Sequence, residues 1–228
     1  PPRSTLFPYT TLFRSMDILR QEQQEDVEKF MAIAGQHQAG EYLRTPAWQH
    51  FRNRAGWAFG LAILGLVSGM IVQNYEGLLM QFAILAVFLP MLADTGGNTG
   101  SQSATLVVRA LALREVTPRD GFRILGKELQ VALMMGLLLG AAAYGRVVFL
   151  GGGSSLPDGF ALPRIALAVG LALGLQVVSA TAIGALLPLG AARLRLDPAV
   201  VASPALTTIV DITGLLIYFG TARFVLGL

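Results

Sequence analysis

Two aspartates, Asp94 and Asp211, stand inside otherwise apolar sequence. A charged aspartate in a hydrocarbon setting costs at least ~2.5–3.5 kcal/mol, so each must face a cavity or a partner. No lysine or arginine lies within a helical turn of either residue, which leaves Arg146 as the candidate for an ion pair. Carboxylates so placed suit a hydrated cation path. The setting of Asp211 supports this, because Ser203, Thr207, Thr208 and Thr213 surround it in sequence. Residues 203, 207 and 211 recur every four positions and give one helix face a polar stripe.

Asp94 opens a second polar run, Asp94-Thr-Gly-Gly-Asn-Thr-Gly-Ser-Gln-Ser-Ala-Thr105. It follows Pro90, so a helix is expected to stop and restart here. Gly96, Gly97 and Gly100 permit non-helical backbone, which at membrane depth is tolerated only along a protein-lined cavity. Carbonyls freed in this way would face a cation or its water shell. A phosphate loop is excluded, since no lysine follows the glycines and no strand precedes them. A plain cytosolic turn fits the position equally well, because Arg109 follows closely.

The elements that must hold these residues are membrane helices. Of 228 residues 54% are hydrophobic and 14% charged, against about 25% charged in soluble domains. Charge clusters in 1–54, 109–128 and 193–197, leaving Glu76, Asp94, Arg146, Asp158, Arg164, Asp211 and Arg223 for everything else. A pI near 9.6 does not signal nucleic acid, because no basic stripe is interleaved with aromatics. Zero cysteines exclude disulfides and thiolate chemistry, and two histidines, His37 and His50, do not make a zinc site.

A crossing helix needs about 20 largely apolar residues. Five runs qualify: 56–73, 77–93 with its Pro90 break, 130–150, 165–189 and 200–226. The fold class is therefore an all-α membrane protein with a Gly/Pro-broken second span. Arginines and lysines gather before the first span and in 109–128 and 190–199, whereas the first connection has none and the third has only Arg164. This bias places the N-terminus in the cytosol and the C-terminus outside. Arg146 and Arg223, near outer ends, can snorkel. The small-xxx-small runs Gly136–Gly140 and Gly170–Gly174 predict close helix packing within one protomer rather than a dimer seam. No inverted repeat is seen.

Three segments follow in chain order. Residues 1–15 resemble the conceptual translation of a sequencing adapter, which makes them extraneous and Met16 the start of the protein proper. Residues 16–54 read as an acidic cytosolic helix (16–35) and a polar linker leading to Arg52 and Arg54. Residues 55–228 form the transmembrane domain.

The run Pro90-x3-Asp94-Thr-Gly-Gly-Asn-Thr-Gly-Ser-Gln-Ser-Ala-Thr-x-Val-x-Arg109 resembles the signature of the MgtE family of magnesium channels and transporters. So do Leu196-Asp-Pro-Ala-Val and Ser203-Pro-x2-Thr-Thr-x-Val-Asp211-x-Thr-Gly-Leu-Leu-Ile-Tyr. The resemblance implies a homodimer with a cation pore along its two-fold axis, in a bacterial inner membrane. It makes Asp211 the pore aspartate that meets hydrated Mg²⁺ with its symmetry mate. By the same match Ala86, Asp94, Gly97, Ser101, Thr105, Ser203 and Thr207 would surround the ion. Ser101 and Ser203 stand where some members carry asparagine, and Asp94 where some carry glycine, so the charge of this site differs. The acidic helix at 16–35 matches the family's connecting "plug" helix. The cytosolic N-terminal and cystathionine-β-synthase-type domains usual in the family have no counterpart before Met16, as in a truncated or a naturally short member.

The residue types agree with a hard cation as cargo. Mg²⁺ dehydrates reluctantly and takes one or two carboxylates with its waters. Softer metals would attract His, Cys or Met beside the acids, and no methionine lies beside Asp211. Mn²⁺, Co²⁺ and Ca²⁺ stay open on these grounds, as does the choice between channel and exchanger. Other classes remain: an intramembrane aspartyl protease using Asp94 and Asp211, or a structural subunit of a larger complex. No prosthetic cofactor and no nucleic-acid partner is expected.

Overall fold

The computed structural model describes Ile18, residues 42–150, 159–201 and 204–228. The expected 1–15 and 16–35 segments, apart from Ile18, lie outside the described residues, as does Ser203. The described elements are all helical: α1 (Ala47–Asn74), α2 (Glu76–Gln81), α3 (Ala83–Val87), α4 (Leu89–Ala112), a 3₁₀ turn (Pro118–Asp120), α5 (Gly121–Leu150), α6 (Leu162–Arg193), α7 (Pro198–Val201) and α8 (Pro204–Leu226). Four of these helices, α1, α5, α6 and α8, are long and apolar enough to cross a membrane.

The chain divides into two compact units, Pro1–Gly60 and Leu61–Leu228. In the first, Trp48 stacks on Phe51 with ring centroids 5.2 Å apart, and Tyr42 lies against His50 at 4.9 Å. None of the residues of α1 is buried, although Ile71 and Val72 near its end pack against the core. An apolar helix without a buried face is at home in lipid, where tails are as apolar as leucine.

Proline decides where several helices begin. Pro90, Pro163 and Pro118 each occupy the first turn of their element, where the missing N–H would have had no partner anyway. The expected second span, 77–93, is accordingly divided among α2, α3 and the start of α4. The chain bends at Phe82, whose ring is buried edge-on against Phe160, and again at Phe88. Pro90 cannot donate to the carbonyl four residues back, and the Phe88 N–H turns to the Leu85 and Ala86 carbonyls instead. Tyr218 of α8 supports the broken stretch by donating its hydroxyl to the Leu85 carbonyl at 2.8 Å. Along this stretch Phe82, Ile84, Leu85 and Phe88 are buried, whereas Ala83, Ala86 and Val87 are exposed.

One expectation is corrected here. The glycine run does not leave the helix: residues 94–105 lie within the continuous α4. The break falls before Pro90 rather than at Gly96 and Gly97, and the backbone around those glycines keeps its helical bonds. The glycines serve close approach instead. A Cβ on Gly100 would lie 3.1 Å from the Ala180 carbonyl oxygen of α6, and one on Gly184 would collide with the Gly100 carbonyl. The two main chains touch at this crossing, which no side chain would allow.

Helix α6 is the centre of the second unit and packs against α4, α5, α7 and α8. Its buried positions are mostly small or branched, among them Ala166, Val169, Ala172, Leu173, Ala180 and Gly184. Small-xxx-small runs meet as expected within the protomer. A Cβ on Gly140 would approach the Gly170 carbonyl oxygen to 2.6 Å, and one on Gly136 the Gly174 oxygen to 2.9 Å. Around α6 the core gathers Phe82, Leu85 and Leu92 with Tyr218 and Phe219. Tyr75 stacks on Phe219 at 4.6 Å between centroids.

Candidate functional site

Helix α4 has two faces. Leu92, Gly96, Thr99, Gly100, Ser103, Ala104 and Val107 are buried. Asp94, Gly97, Ser101 and Thr105, spaced by three, four and four residues, share the opposite, more open side. Asp94 and Thr105 are exposed there, and Gly97 and Ser101 partly so. Hydroxyls on this helix fold back on their own backbone. Thr105 donates to the Ser101 carbonyl at 2.7 Å, and Thr99 donates to the Thr95 carbonyl at 2.9 Å. Such bonds let polar side chains sit in an apolar helix without stranding a donor.

Helix α8 repeats the pattern. Leu206 and Val210 are fully buried, and Gly214 continues their line. Thr207 and Asp211, one turn apart, run beside it half-buried. From the start of α8 the Asp211 Cα is about 10 Å along the axis at 1.5 Å per residue. Among the described residues no cation pairs with its carboxylate. Arg146, the ion-pair candidate of the sequence, instead places its guanidinium over the Phe88 ring at 5.6 Å from the centroid.

The two stripes meet. A Cβ on Gly97 would lie 3.7 Å from Thr207 Cγ2, an ordinary van der Waals contact, so the open side of α4 abuts that of α8. Of the eight site residues expected from sequence, Gly97 and Thr207 face each other across the two helices. Asp94, Ser101 and Thr105 extend the α4 stripe, and Asp211 extends that of α8. Ala86 belongs to a different element and is exposed on α3. Ser203 lies outside the described residues.

Sequence reasoning passed over Gln176. This residue of α6 is fully buried and donates its amide Nε2 to the Val210 carbonyl at 3.0 Å. The same carbonyl receives the Thr213 hydroxyl at 3.1 Å. Gly96 and Gly214 make room for the amide, since a Cβ on either would collide with it. Ser179 donates to the Gln176 Oε1 at 3.3 Å. The available signal was a single amide within the apolar run 165–189, where a polar side chain needs a specific partner.

Among the described residues no three His, Cys, Asp or Glu gather into a group that would hold a bare metal ion. Hydroxyls, backbone and isolated carboxylates can instead hydrogen-bond to the water shell of an ion. The sequence profile of the MgtE family, described as divalent cation transporter, matches residues 89–221, from the first turn of α4 into α8.

The chain belongs to the MgtE family.

Its relatives include the magnesium transporter MgtE of Thermus thermophilus, 38% identical over 211 residues, which covers 92% of this chain and 44% of the relative. The magnesium transporter MgtE of Bacillus subtilis is 32% identical over 209 residues, covering 91% of this chain and 43% of that protein. That of Enterococcus faecalis is 32% identical over 169 residues, or 74% of this chain. The chain thus spans less than half the length of these MgtE relatives. The family is one of transporters and not of enzymes, so the protease reading of Asp94 and Asp211 is set aside.

Proposed function

We propose that this chain forms the membrane pore of a magnesium transporter, with two copies related by a two-fold axis and Asp211 of each facing the ion path. The observation that carries the reading is the nearness of Gly97 to Thr207, where an added Cβ would reach Thr207 Cγ2 at 3.7 Å, which sets the polar stripe of α4 beside that of α8. Two carboxylates supplied by one residue position balance a divalent charge, and Mg²⁺ keeps several waters while it does so. Asp94, Ser101, Thr105, Ser203, Thr207 and the backbone at Ala86 and Gly97 would then receive the water shell by hydrogen bonds.

Five crossings fit this function, the second built from α2, α3 and the first part of α4. The N-terminus is then cytosolic and the C-terminus outside, in a bacterial inner membrane. Moving two charges through 100 mV supplies roughly 4.6 kcal/mol, enough to drive uptake without a coupled ion. Magnesium is favoured over Mn²⁺, Co²⁺ and Ca²⁺ by the names of the relatives, since the oxygen groups of the stripes suit Mg²⁺, Mn²⁺ and Ca²⁺ alike.

The test is Mg²⁺ entry into proteoliposomes loaded with a Mg²⁺ indicator, comparing the unaltered chain with Asp211→Asn. Influx that is lost in the variant supports the assignment, and competition by Ca²⁺ and Mn²⁺ then ranks selectivity. Equal influx in both would remove Asp211 from the path.

A further inference from the structure

At the ends of α5 and α6 the 3₁₀ turn and the loop after Arg193 enclose a recess of about 940 Å³. Among the described residues Arg119, Arg193 and Arg195 line it, and no aspartate or glutamate does. Its remaining wall is largely apolar, with Phe122, Leu125 and Leu186. Phe122 is 92% exposed, and Leu194 next to the recess is 73% exposed. We infer that this recess binds the phosphate headgroup of an anionic phospholipid.

The chemistry of the lining selects the ligand. Three guanidiniums attract a phosphate, to which arginine offers a bidentate fork, and the neighbouring Asp120 carboxylate is held by Thr117 instead. A soluble phosphate compound would have no use for the exposed phenylalanine and leucines beside the charge. A lipid would use both, laying its headgroup on the arginines and its acyl chains along Phe122, Leu125 and Leu186. The location agrees, because these are the helix ends that the charge bias assigns to the cytosolic surface, where anionic headgroups attract basic residues. This placement rests on the membrane orientation proposed above.

Local backbone sets where Arg195 stands. Arg195 has φ +60°, in the left-handed region that glycine occupies without strain. The turn is fixed by the Leu196 N–H donating to the Ala191 carbonyl at 2.9 Å and the Leu194 N–H to that of Gly190 at 3.0 Å. An arginine at such a position brings a charge to the recess that the usual glycine would not. Arg114 is also left-handed, at φ +55°, but does not line the recess, so it serves as a control.

The full chain in detergent is titrated with dioleoylphosphatidylglycerol, dioleoylphosphatidylcholine or inorganic phosphate, with bound lipid counted by native mass spectrometry and stability followed as Tm. Phosphatidylglycerol should bind and raise Tm above phosphatidylcholine. The triple variant Arg119→Gln, Arg193→Gln, Arg195→Gln should weaken that binding by roughly 5-fold per arginine, from about 1 kcal/mol for each basic residue near the surface. Arg109→Gln, Arg114→Gln, Arg123→Gln removes the same charge from the same end and should leave binding nearly unchanged. Arg119→Lys, Arg193→Lys, Arg195→Lys keeps the charge and should retain most of it, which guards against a misfolded glutamine variant. Equal losses in the two glutamine variants would overturn the proposal in favour of a diffuse surface field. So would equal stabilisation by phosphatidylcholine, or by inorganic phosphate alone, the mark of a free-anion site. Binding is read without flux, so a failure of Mg²⁺ transport does not bear on this result.

Discussion

The side-chain amide of Gln176 donates to the main-chain carbonyl of Val210 at 3.0 Å, and the residue after Val210 is Asp211. A buried hydrogen bond from α6 therefore fixes the height and rotation of α8 next to its acidic residue. Gly96 and Gly214 are the two places where the amide fits, so three helices meet on one side chain.

Replacing Gln176 with methionine keeps the length and removes the donor. The variant should lose about 0.5–1.5 kcal/mol, the net worth of one hydrogen bond, seen as a lower Tm in detergent. Mg²⁺ influx should fall further than stability does, because Asp211 loses its fixed position. A Tm and influx equal to those of the unaltered chain would mean that the bond does not hold α8.

Gly184→Ala tests the crossing of α4 and α6. Its Cβ would collide with the Gly100 carbonyl, a backbone atom that cannot turn aside. A cost of about 1–3 kcal/mol is expected, as for overpacking elsewhere. Gly126→Ala on α5 meets nothing within 4 Å and should be neutral or stabilising by up to about 1 kcal/mol. Thermal melts of the pair check the contrast.

Gly97→Ala separates packing from conduction. The added methyl would touch Thr207 at an ordinary distance of 3.7 Å, so stability, read from Tm, should be unchanged or raised by up to about 1 kcal/mol, as for Gly126→Ala. It also narrows the meeting of the two stripes, so Mg²⁺ influx should drop. A fall in Tm with unchanged influx would make Gly97 a packing residue only.

Asp120 gives a pH dependence outside the membrane spans. The Thr117 hydroxyl donates to its carboxylate at 2.7 Å and the Thr117 N–H donates to the same oxygen at 2.9 Å, with Arg123 adding its charge. These hold its pKa below the ordinary carboxylate value, about 3.9. A depressed folded pKa stabilises fully above the unfolded value and is lost as pH falls through the folded one. The Tm difference between the unaltered chain and Asp120→Asn should therefore be constant from pH 7 down to about 5 and shrink below about 3.9. A difference that grows on acidification would contradict the capping role.

Composition and periodicity were enough for the all-helical class, because a run of some twenty apolar residues has no other stable solution in lipid. The same holds for four of the five expected spans, whose helices contain or nearly contain them: α1, α5, α6 and α8. It holds too for the glycine pairs 136/140 and 170/174, where a spacing of four puts small residues on one helix face. Site legibility was narrower. The i, i+4 relation of Thr207 and Asp211 follows from helix geometry alone, and so does the shared face of Asp94, Gly97, Ser101 and Thr105 once their run is helical.

Only tertiary structure decided that the run is helical. Glycine permits an irregular backbone but does not compel it, and here contact with Ala180 and Gly184 of α6 gives the absent side chains a use within a regular helix. Likewise Pro90 announced a break, yet its site, ahead of the proline at Phe88 and Phe82, depends on which rings the core admits. The meeting of Gly97 with Thr207 and the reach of Gln176 to Val210 join residues 110 and 34 positions apart. Local spacing carries no record of such pairs, because they arise from how helices cross and not from how each one forms.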